Sequence, residues 1–156
     1  MTREHRRPLI LWGGTIGFGF GALIDVFVFH LIFQHHHILS GIYDPTTHEG
    51  LRANVMMDGI FSMLMLGIVV VGAALLWRTV NRTDQSLSTL ALVGSILVGM
   101  GVFNVFDGVV NHYVLDLHNV VHGTEVWNPH WVVVSVVLLG IGLLVLLADR
   151  RRFPEG

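Results

Sequence analysis

Four long apolar segments follow one another along the chain, with short polar segments between them. A helix needs roughly 20 apolar residues to cross a bilayer core of about 30 Å, and each segment reaches that length. The segments predict transmembrane helices over residues 9–34, 54–77, 87–115 and 129–148. The expected fold is an all-α bundle of four transmembrane helices, which forms a single membrane domain over residues 1–156.

The arginines predict how the bundle is oriented, because basic residues are enriched in short cytoplasmic flanks. Only Arg52 lies at the end that carries most of the histidines. The opposite end carries the remaining basic residues: Arg3, Arg6, Arg7, Arg78, Arg82, Arg150, Arg151 and Arg152. Both termini are therefore expected in the cytoplasm. The His-bearing connections 43–54 and 120–128 are expected on the outer face of the plasma membrane.

Composition agrees with a membrane protein and excludes several other classes. Hydrophobic residues make up 53% of the chain and charged residues 13%, about half the charged fraction of a typical soluble domain. A net charge of −2 without a basic patch gives no reason to expect nucleic acid as a partner. Cysteine is absent, which excludes disulfides and thiolate ligands. The lipid bilayer is the one partner that composition predicts, and the ten histidines are the outstanding anomaly.

The chain matches itself when it is shifted by 82 residues. The matching positions include Asp25/Asp107, His30/His112 and His36/His118, so the spacing Asp-x4-His-x5-His occurs twice. Glycines and apolar residues match easily between membrane helices, whereas this polar spacing does not. We interpret the pattern as a two-plus-two duplication of helix pairs, with its axis along the membrane normal.

The duplicated polar residues form the candidate site. A carboxylate in the hydrocarbon region costs on the order of 3 kcal/mol, so such residues are expected to face the bundle interior and to find partners there. Imidazole suits copper, zinc and iron, and carboxylates extend the range towards manganese. The leading hypothesis is a transition-metal site, with copper, zinc or iron, in the outer half of the bundle. Its candidate ligands or supporting residues are His30, His36, His112, His118, Asp25, Asp107 and Asp58.

Helical geometry limits how these residues combine. A rise of about 1.5 Å per residue places His30 and His36 roughly 9 Å apart along a continuous helix. One helix is then unable to bring both to one ion, so a site is expected to pair His30 with His112, or His36 with His118. Asp58, near the outer end of the second helix, is an additional partner. The remaining six histidines are expected to be mostly peripheral.

Other functions fit part of the same pattern. Equivalent histidines on two helices could ligate one haem b. A chain of Asp and His residues could serve as a proton relay, although the inner half of the bundle is Gly-rich and aliphatic. In a structural subunit, the buried Asp residues would be interhelical clasps. Sequence leaves open whether the protein is an enzyme, which residues would be catalytic, and what its oligomeric state is.

The polar motifs resemble those of a family of predicted bacterial and archaeal membrane proteins, domain-of-unknown-function family 2243. The likeness covers residues 13–146 and rests on three stretches: Asp25-x4-His30 with Gln34-His35-His36, Asn54 with Asp58-Gly59-Ile60-Phe61, and Phe103-Asn104-x2-Asp107-Gly108-x3-His112-x5-His118. The resemblance implies a His after Asp-Gly-x-Phe, where this chain has Ser62. It also implies copper, and partners among respiratory-chain or metal-delivery proteins, since family members occur near copper-oxidase assembly proteins. The resulting hypothesis is metal handling or redox chemistry linked to the respiratory membrane.

Overall fold

Four helices account for most of the residues that the computed structural model describes, which are residues 3–82 and 87–152, with side chains from Arg6 onward. They are α1 (Arg3–Asp25), α2 (His48–Val80), α3 (Thr89–Phe106) and α4 (Asn128–Arg152). A π-helical segment continues α1 over Val26–Ile32, and another continues α3 over Asp107–Val114. All four helices are long and apolar enough to cross a membrane. The predicted all-α bundle of four transmembrane helices is confirmed.

Helices α1 and α3 form the centre of the bundle, while α2 packs on α1 and α4 packs on α3. The central pair is close because glycines line its interface. A Cβ atom on Gly17 would collide with the backbone of Ile96, and a Cβ atom on Gly99 would collide with the backbone of Gly14. Small residues allow membrane helices to approach in this way. The close approach brings the C-terminal ends of α1 and α3 side by side, where the candidate residues lie.

Three of the predicted helix boundaries were wrong by a turn or more. Helix α1 begins at Arg3 rather than at residue 9. Helix α2 begins at His48 rather than at residue 54, because the Thr47 side chain caps it by accepting a hydrogen bond of 3.0 Å from the Gly50 backbone N–H. Helix α4 continues to Arg152 rather than ending at 148. The added residues at the start of α2 and at the end of α4 include charged side chains. A prediction based on apolar runs therefore stops short of them.

The two central helices end in the same way at the histidine-bearing end of the bundle. The π-helical segments end at Ile32 and Val114, before the predicted ends at 34 and 115. Gln34 then has a φ of 52° and Asp116 a φ of 48°, a left-handed conformation that non-glycine residues adopt infrequently. These two residues reverse the chain, so the segments that follow fold back over the end of the bundle.

The end of the bundle opposite the histidines is held by a buried carboxylate that the sequence analysis did not single out. Asp149 of α4 is 1% exposed. Its Oδ2 atom lies 3.2 Å from Nη2 of Arg6, and its Oδ1 atom accepts a hydrogen bond from Ser88. This contact ties α1, α3 and α4 together at the end opposite the histidines.

Candidate metal centre

The π-helical segments bring each Asp close to the first His of its motif. A π-helix closes hydrogen bonds between residues five apart, and Asp25 and His30 have that spacing, as do Asp107 and His112. The Asp25 Oδ2 atom lies 3.4 Å from His30 Nε2, and Asp107 Oδ2 lies 3.2 Å from His112 Nε2. An ordinary α-helix would turn residues five apart to different faces. The local helix type therefore creates the Asp–His pair in both segments.

The second His of each motif reaches the same place because the chain has turned back. His36 follows the left-handed Gln34, and His118 follows the left-handed Asp116. His30, His36 and His118 can offer ligand atoms within 4.8 Å of one another. The expectation that His30 and His36 are too far apart for one ion was therefore wrong, because it assumed a continuous helix through both.

Backbone carbonyls of the opposite loop fix the rings of His36 and His118. His36 Nδ1 lies 2.8 Å from the Val120 carbonyl oxygen, and His118 Nδ1 lies 3.2 Å from the Ile38 carbonyl oxygen. A carbonyl oxygen can only accept, so Nδ1 of each ring donates. In a neutral ring, Nε2 then carries the lone pair and is free to bind a metal ion. The two contacts are equivalent under the 82-residue shift, because 36 corresponds to 118 and 38 to 120.

Asp58 fixes two further imidazole rings from α2. Its Oδ1 atom lies 2.8 Å from His30 Nδ1, and its Oδ2 atom lies 2.6 Å from His37 Nδ1. The backbone N–H of Ile38 donates a third hydrogen bond to Oδ1, at 3.0 Å. Both carboxylate oxygens are thus engaged. Asp58 orients His30 with Nε2 towards Asp25, and Ser62, one turn further along α2, donates to the Asp58 backbone carbonyl at 2.7 Å.

The four motif histidines form a row of adjacent rings. Ring centroids are 4.4 Å apart between His30 and His36, 4.8 Å between His36 and His118, and 4.7 Å between His118 and His112. The central two rings are stacked, with 7° between their planes. The predicted pairing of His36 with His118 has this direct contact, whereas His30 and His112 each contact the central pair from opposite sides. We call the whole assembly the His/Asp cluster: Asp25, His30, His36, His37, Asp58, Asp107, His112 and His118.

The His/Asp cluster is buried, and much of its hydrogen-bonding capacity is unused. Its eight side chains belong to residues that are 1–3% exposed. Within the described part of the chain, buried side-chain atoms that make no well-formed hydrogen bond are concentrated here, and they include atoms of the close Asp–His contacts: Asp25 Oδ1, His30 Nε2, His36 Nε2, Asp107 Oδ2, His112 Nδ1, His112 Nε2 and His118 Nε2. Buried polar atoms in proteins are nearly always partnered. So many unpartnered nitrogen and oxygen atoms in one place point to a shared partner, such as a metal ion that they could bind together.

Three sets of residues in the cluster offer three atoms within ligand distance of one another. One set is His30, His36 and His118, and another is Asp107, His112 and His118. The third set, His30, His37 and Asp58, is the hydrogen-bonded group just described, in which the close atoms are bonded to each other. Only the first two sets contain unpartnered atoms in every residue.

The two halves of the cluster differ in their contacts with α2 and α4, the helices that flank the central pair. His30 Nδ1 is bonded to Asp58 of α2, whereas His112 Nδ1 has no partner. Next to His112 lies Trp131 of α4, with ring centroids 6.2 Å apart, and Trp131 also packs edge-on against Phe29 at 5.1 Å. His30 is therefore held by a carboxylate from α2, whereas His112 packs against an aromatic side chain from α4.

Of the histidines expected to be peripheral, His37 was wrongly assigned. It is buried and bonded to Asp58 because the chain reversal after Gln34 turns it inward. His35, His48, His122 and His130 are exposed, as expected, and the side chain of His5 lies outside the described residues. Helical periodicity could not have identified His37, since the chain beyond Ile32 is no longer helical.

His36 lies beyond the end of the membrane-spanning part of α1, and its surroundings keep it neutral. Burial lowers the pKa of His36 well below its usual 6.5, and the neighbouring His30 and His118 lower it further. A neutral imidazole is the form that binds a metal ion, so His36 requires little or no deprotonation near neutral pH.

Comparison with known families identifies the chain. It belongs to the family described as "Predicted membrane protein (DUF2243)", whose model matches residues 12–149. The matched range contains the whole His/Asp cluster. Comparisons with curated proteins and with solved structures found no match.

Proposed function

We propose that this member of the DUF2243 family holds a transition metal in the His/Asp cluster and uses it in metal handling or redox chemistry at the plasma membrane. The observation that carries the proposal is the set of unpartnered, buried donor atoms on Asp25, Asp107 and the four motif histidines. An ionised carboxylate in the membrane interior costs about 3 kcal/mol on insertion scales. A bound cation would offset that cost and would partner the imidazole nitrogens as well.

The surroundings of the imidazole rings support the same conclusion. Histidines that bind metals nearly always donate their other ring N–H to a carboxylate or a backbone carbonyl. His30 does so to Asp58, His36 to Val120 and His118 to Ile38. Asp58 has its oxygens engaged by three donors, so we assign it a positioning role rather than that of a ligand. The proposed ligands are the four motif histidines with Asp25 and Asp107.

The donor atoms favour an ion that is retained. With imidazole and carboxylate ligands and no thiolate, the site suits iron, manganese, zinc or copper(II) better than copper(I). All ligands are buried, and three of the rings have a fixed orientation. Such preorganisation favours a tightly held ion over one in transit.

A haem b group fits the cluster less well. Two axial imidazoles have to bind from opposite faces of the macrocycle, which therefore needs the space between them. The stacked rings of His36 and His118 are 4.8 Å apart, and His30 lies only 4.4 Å from His36. His30 and His112 are further apart, but the other two rings lie between them. A proton relay is also less well supported, because below the cluster the core consists of Ala22, Met65 and Phe103.

Elemental analysis of detergent-purified protein tests the proposal. Wild-type protein, washed with a chelator, is expected to retain a transition metal, whereas His30→Ala/His112→Ala is expected to retain little, because each substitution removes a ligand from a different half of the cluster. His48→Ala/His130→Ala, in which both side chains are exposed, is the matched control and should keep the wild-type content. Unchanged metal in the His30→Ala/His112→Ala protein would contradict the proposed site.

We assign the His/Asp cluster to the outer side of the plasma membrane, on the basis of the arginine distribution. Since the chain lacks cysteine, single-cysteine variants can be labelled without background. Glu125→Cys, in the exposed loop before α4, should react with a membrane-impermeant maleimide in intact cells. Asn81→Cys, between α2 and α3, should react only after the membrane is permeabilised. The reverse pattern would place the cluster at the cytoplasmic face.

A further inference from the structure

We propose that two loops at the histidine-bearing end of the bundle form a cap that controls how metal enters and leaves the His/Asp cluster. The cap consists of residues 33–47, the first loop, and residues 115–127, the second loop. The first loop leads into α2, and the second leads into α4. This inference rests on the proposed function and adds how metal exchange at the same site is regulated.

Each loop contributes one ring to the His/Asp cluster and also holds the ring that the other loop contributes. His36 belongs to the first loop, and its Nδ1 atom lies 2.8 Å from the carbonyl oxygen of Val120 in the second loop. His118 belongs to the second loop, and its Nδ1 atom lies 3.2 Å from the carbonyl oxygen of Ile38 in the first loop. Separation of the loops would therefore release two of the proposed ligands at once.

Backbone hydrogen bonds also join the two loops. The Gly41 N–H donates to the Leu117 carbonyl and the His122 N–H donates to the His35 carbonyl, each at 2.7 Å. The loops approach closely at Gly41, where a Cβ atom would lie only 2.7 Å from the carbonyl oxygen of Asp116. These two backbone bonds, together with the two imidazole contacts, hold the cap closed.

The cap lies on the route that an ion has to take. All residues of the His/Asp cluster are buried, so an ion reaches them only after part of the surrounding structure has moved. The lipid-facing sides are closed to a free cation, because transfer of an unpaired ion from water to an apolar medium costs on the order of tens of kcal/mol. Towards the opposite end of the bundle, the core is apolar and contains Ala22, Met65 and Phe103. The loops carry exposed charged residues such as Asp44 and Glu125, so the cap is the side of the cluster nearest to water.

Each loop is tethered to the helix that follows it. The Leu39 N–H donates to Asn54 Oδ1 of α2 at 3.2 Å, and the Val120 N–H donates to Asn128 Oδ1 of α4 at 3.0 Å. Among the described residues, α2 and α4 make no contact with each other. The two loops can therefore separate where they meet, while each keeps its own anchor.

One residue near the start of each loop can act as a hinge. Gln34 and Asp116 have φ angles of 52° and 48°, and a left-handed backbone costs a residue other than glycine roughly 1–2 kcal/mol. Such a conformation persists only while the surrounding contacts hold it. When the loops separate, both residues are free to return to a more favourable conformation, which would carry His36 and His118 away from the cluster.

A bound ion would hold the cap closed. His36 and His118 can offer ligand atoms to the same ion, and an ion bound by both joins the two loops through metal–ligand bonds. Without an ion, the loops are joined by hydrogen bonds that each contribute about 0.5–1.5 kcal/mol to stability. The cap is therefore expected to open more often in the metal-free protein, which admits an ion, and less often once the ion is bound.

A cross-link between the loops tests the proposal. The chain has no cysteine, and both side chains replaced in His35→Cys/His122→Cys are exposed. Their backbones share a hydrogen bond of 2.7 Å, and residues paired in this way have Cα atoms about 5–6 Å apart, a distance that a disulfide spans. The full-length variant is loaded with zinc(II) in detergent, freed of loosely bound metal by gel filtration, and oxidised. Mass spectrometry verifies the disulfide.

The release of zinc to excess EDTA is then compared with that from a matched control. The control is the same loaded variant with both thiols alkylated by iodoacetamide, so that the loops carry the same substitutions but remain unlinked. The disulfide removes an open state that otherwise requires only the loss of weak bonds, so we expect zinc release to be more than about 10-fold slower from the linked protein.

The outcomes separate this inference from the proposed function. Equal release rates from the linked and alkylated proteins would overturn the cap and leave the metal site standing. Wild-type protein that binds no zinc, iron, manganese or copper would overturn both. Hydrogen–deuterium exchange of the wild type gives a second measurement that needs no substitution. Zinc should slow exchange at the Gly41 and His122 amides by more than about 10-fold, and equal exchange with and without zinc would contradict the cap.

Discussion

Replacing His36 and His118 together with alanine is expected to lower the affinity for the metal by more than about 100-fold. Removing a residue that merely supports a ligand typically costs about 10–100-fold in metal affinity, and these two rings are proposed as ligands themselves. They are also the central, stacked members of the row. Their loss would remove one ligand from each half of the cluster at once.

Competition with a chromophoric chelator measures this affinity in detergent solution. The matched control is His35→Ala/His122→Ala, because these residues lie in the same two loops but have exposed side chains. The control should bind metal with wild-type affinity. Equal affinities for the His36→Ala/His118→Ala protein and the control would show that the loops contribute only polar surface at the end of the bundle.

The second large effect concerns the carboxylates. Asp25→Asn is expected to raise the free energy of unfolding of the metal-free protein by about 1–3 kcal/mol, since it replaces a buried, incompletely hydrogen-bonded carboxylate with an uncharged amide. The Asp25 Oδ1 atom has no hydrogen-bond partner. The same substitution should lower metal affinity, so the stabilisation that metal gives the wild type, about 2.7 kcal/mol at a metal concentration of 100 times Kd, should largely disappear.

Thermal unfolding with and without metal separates the two effects. The opposite responses of the metal-free and metal-bound forms are specific to a ligand carboxylate. Asp44→Asn is the control, because Asp44 is exposed in the first loop, where hydrogen bonds from Thr46 lower its pKa. If Asp25→Asn instead destabilises the metal-free protein, the carboxylate is an interhelical clasp, as the structural-subunit hypothesis requires.

The sequence predicted which residues gather, but not how they reach each other. Apolar length and the duplicated spacing were sufficient to place Asp25, His30 and their equivalents at the same end of the bundle, on the first and third helices. The π-helical turns could not be predicted, because five-residue spacing has no meaning on an α-helix. The reversal at Gln34 was also missed, since a residue other than glycine with positive φ leaves no clear signal in the sequence.

The roles of His37 and Asp58 depend on that same reversal. Once the chain folds back, His37 meets the second helix, and Asp58 becomes a shared acceptor instead of a free ligand. Asp58 has no counterpart that contacts His112, where Trp131 packs instead. The duplicated Asp-x4-His-x5-His spacing therefore indicated what the two motifs have in common, whereas their difference arises from contacts with α2 and α4.

X-ray absorption spectroscopy of the purified wild-type protein, at the edge of the metal it carries, tests the central claim most directly. The His/Asp cluster predicts a first shell of nitrogen and oxygen at about 2.0–2.2 Å, with the outer-shell scattering of two or more imidazoles. That scattering should be lost in the His36→Ala/His118→Ala protein. A first shell without imidazole scattering, or one unchanged by the double substitution, would show that the metal is not bound by these histidines.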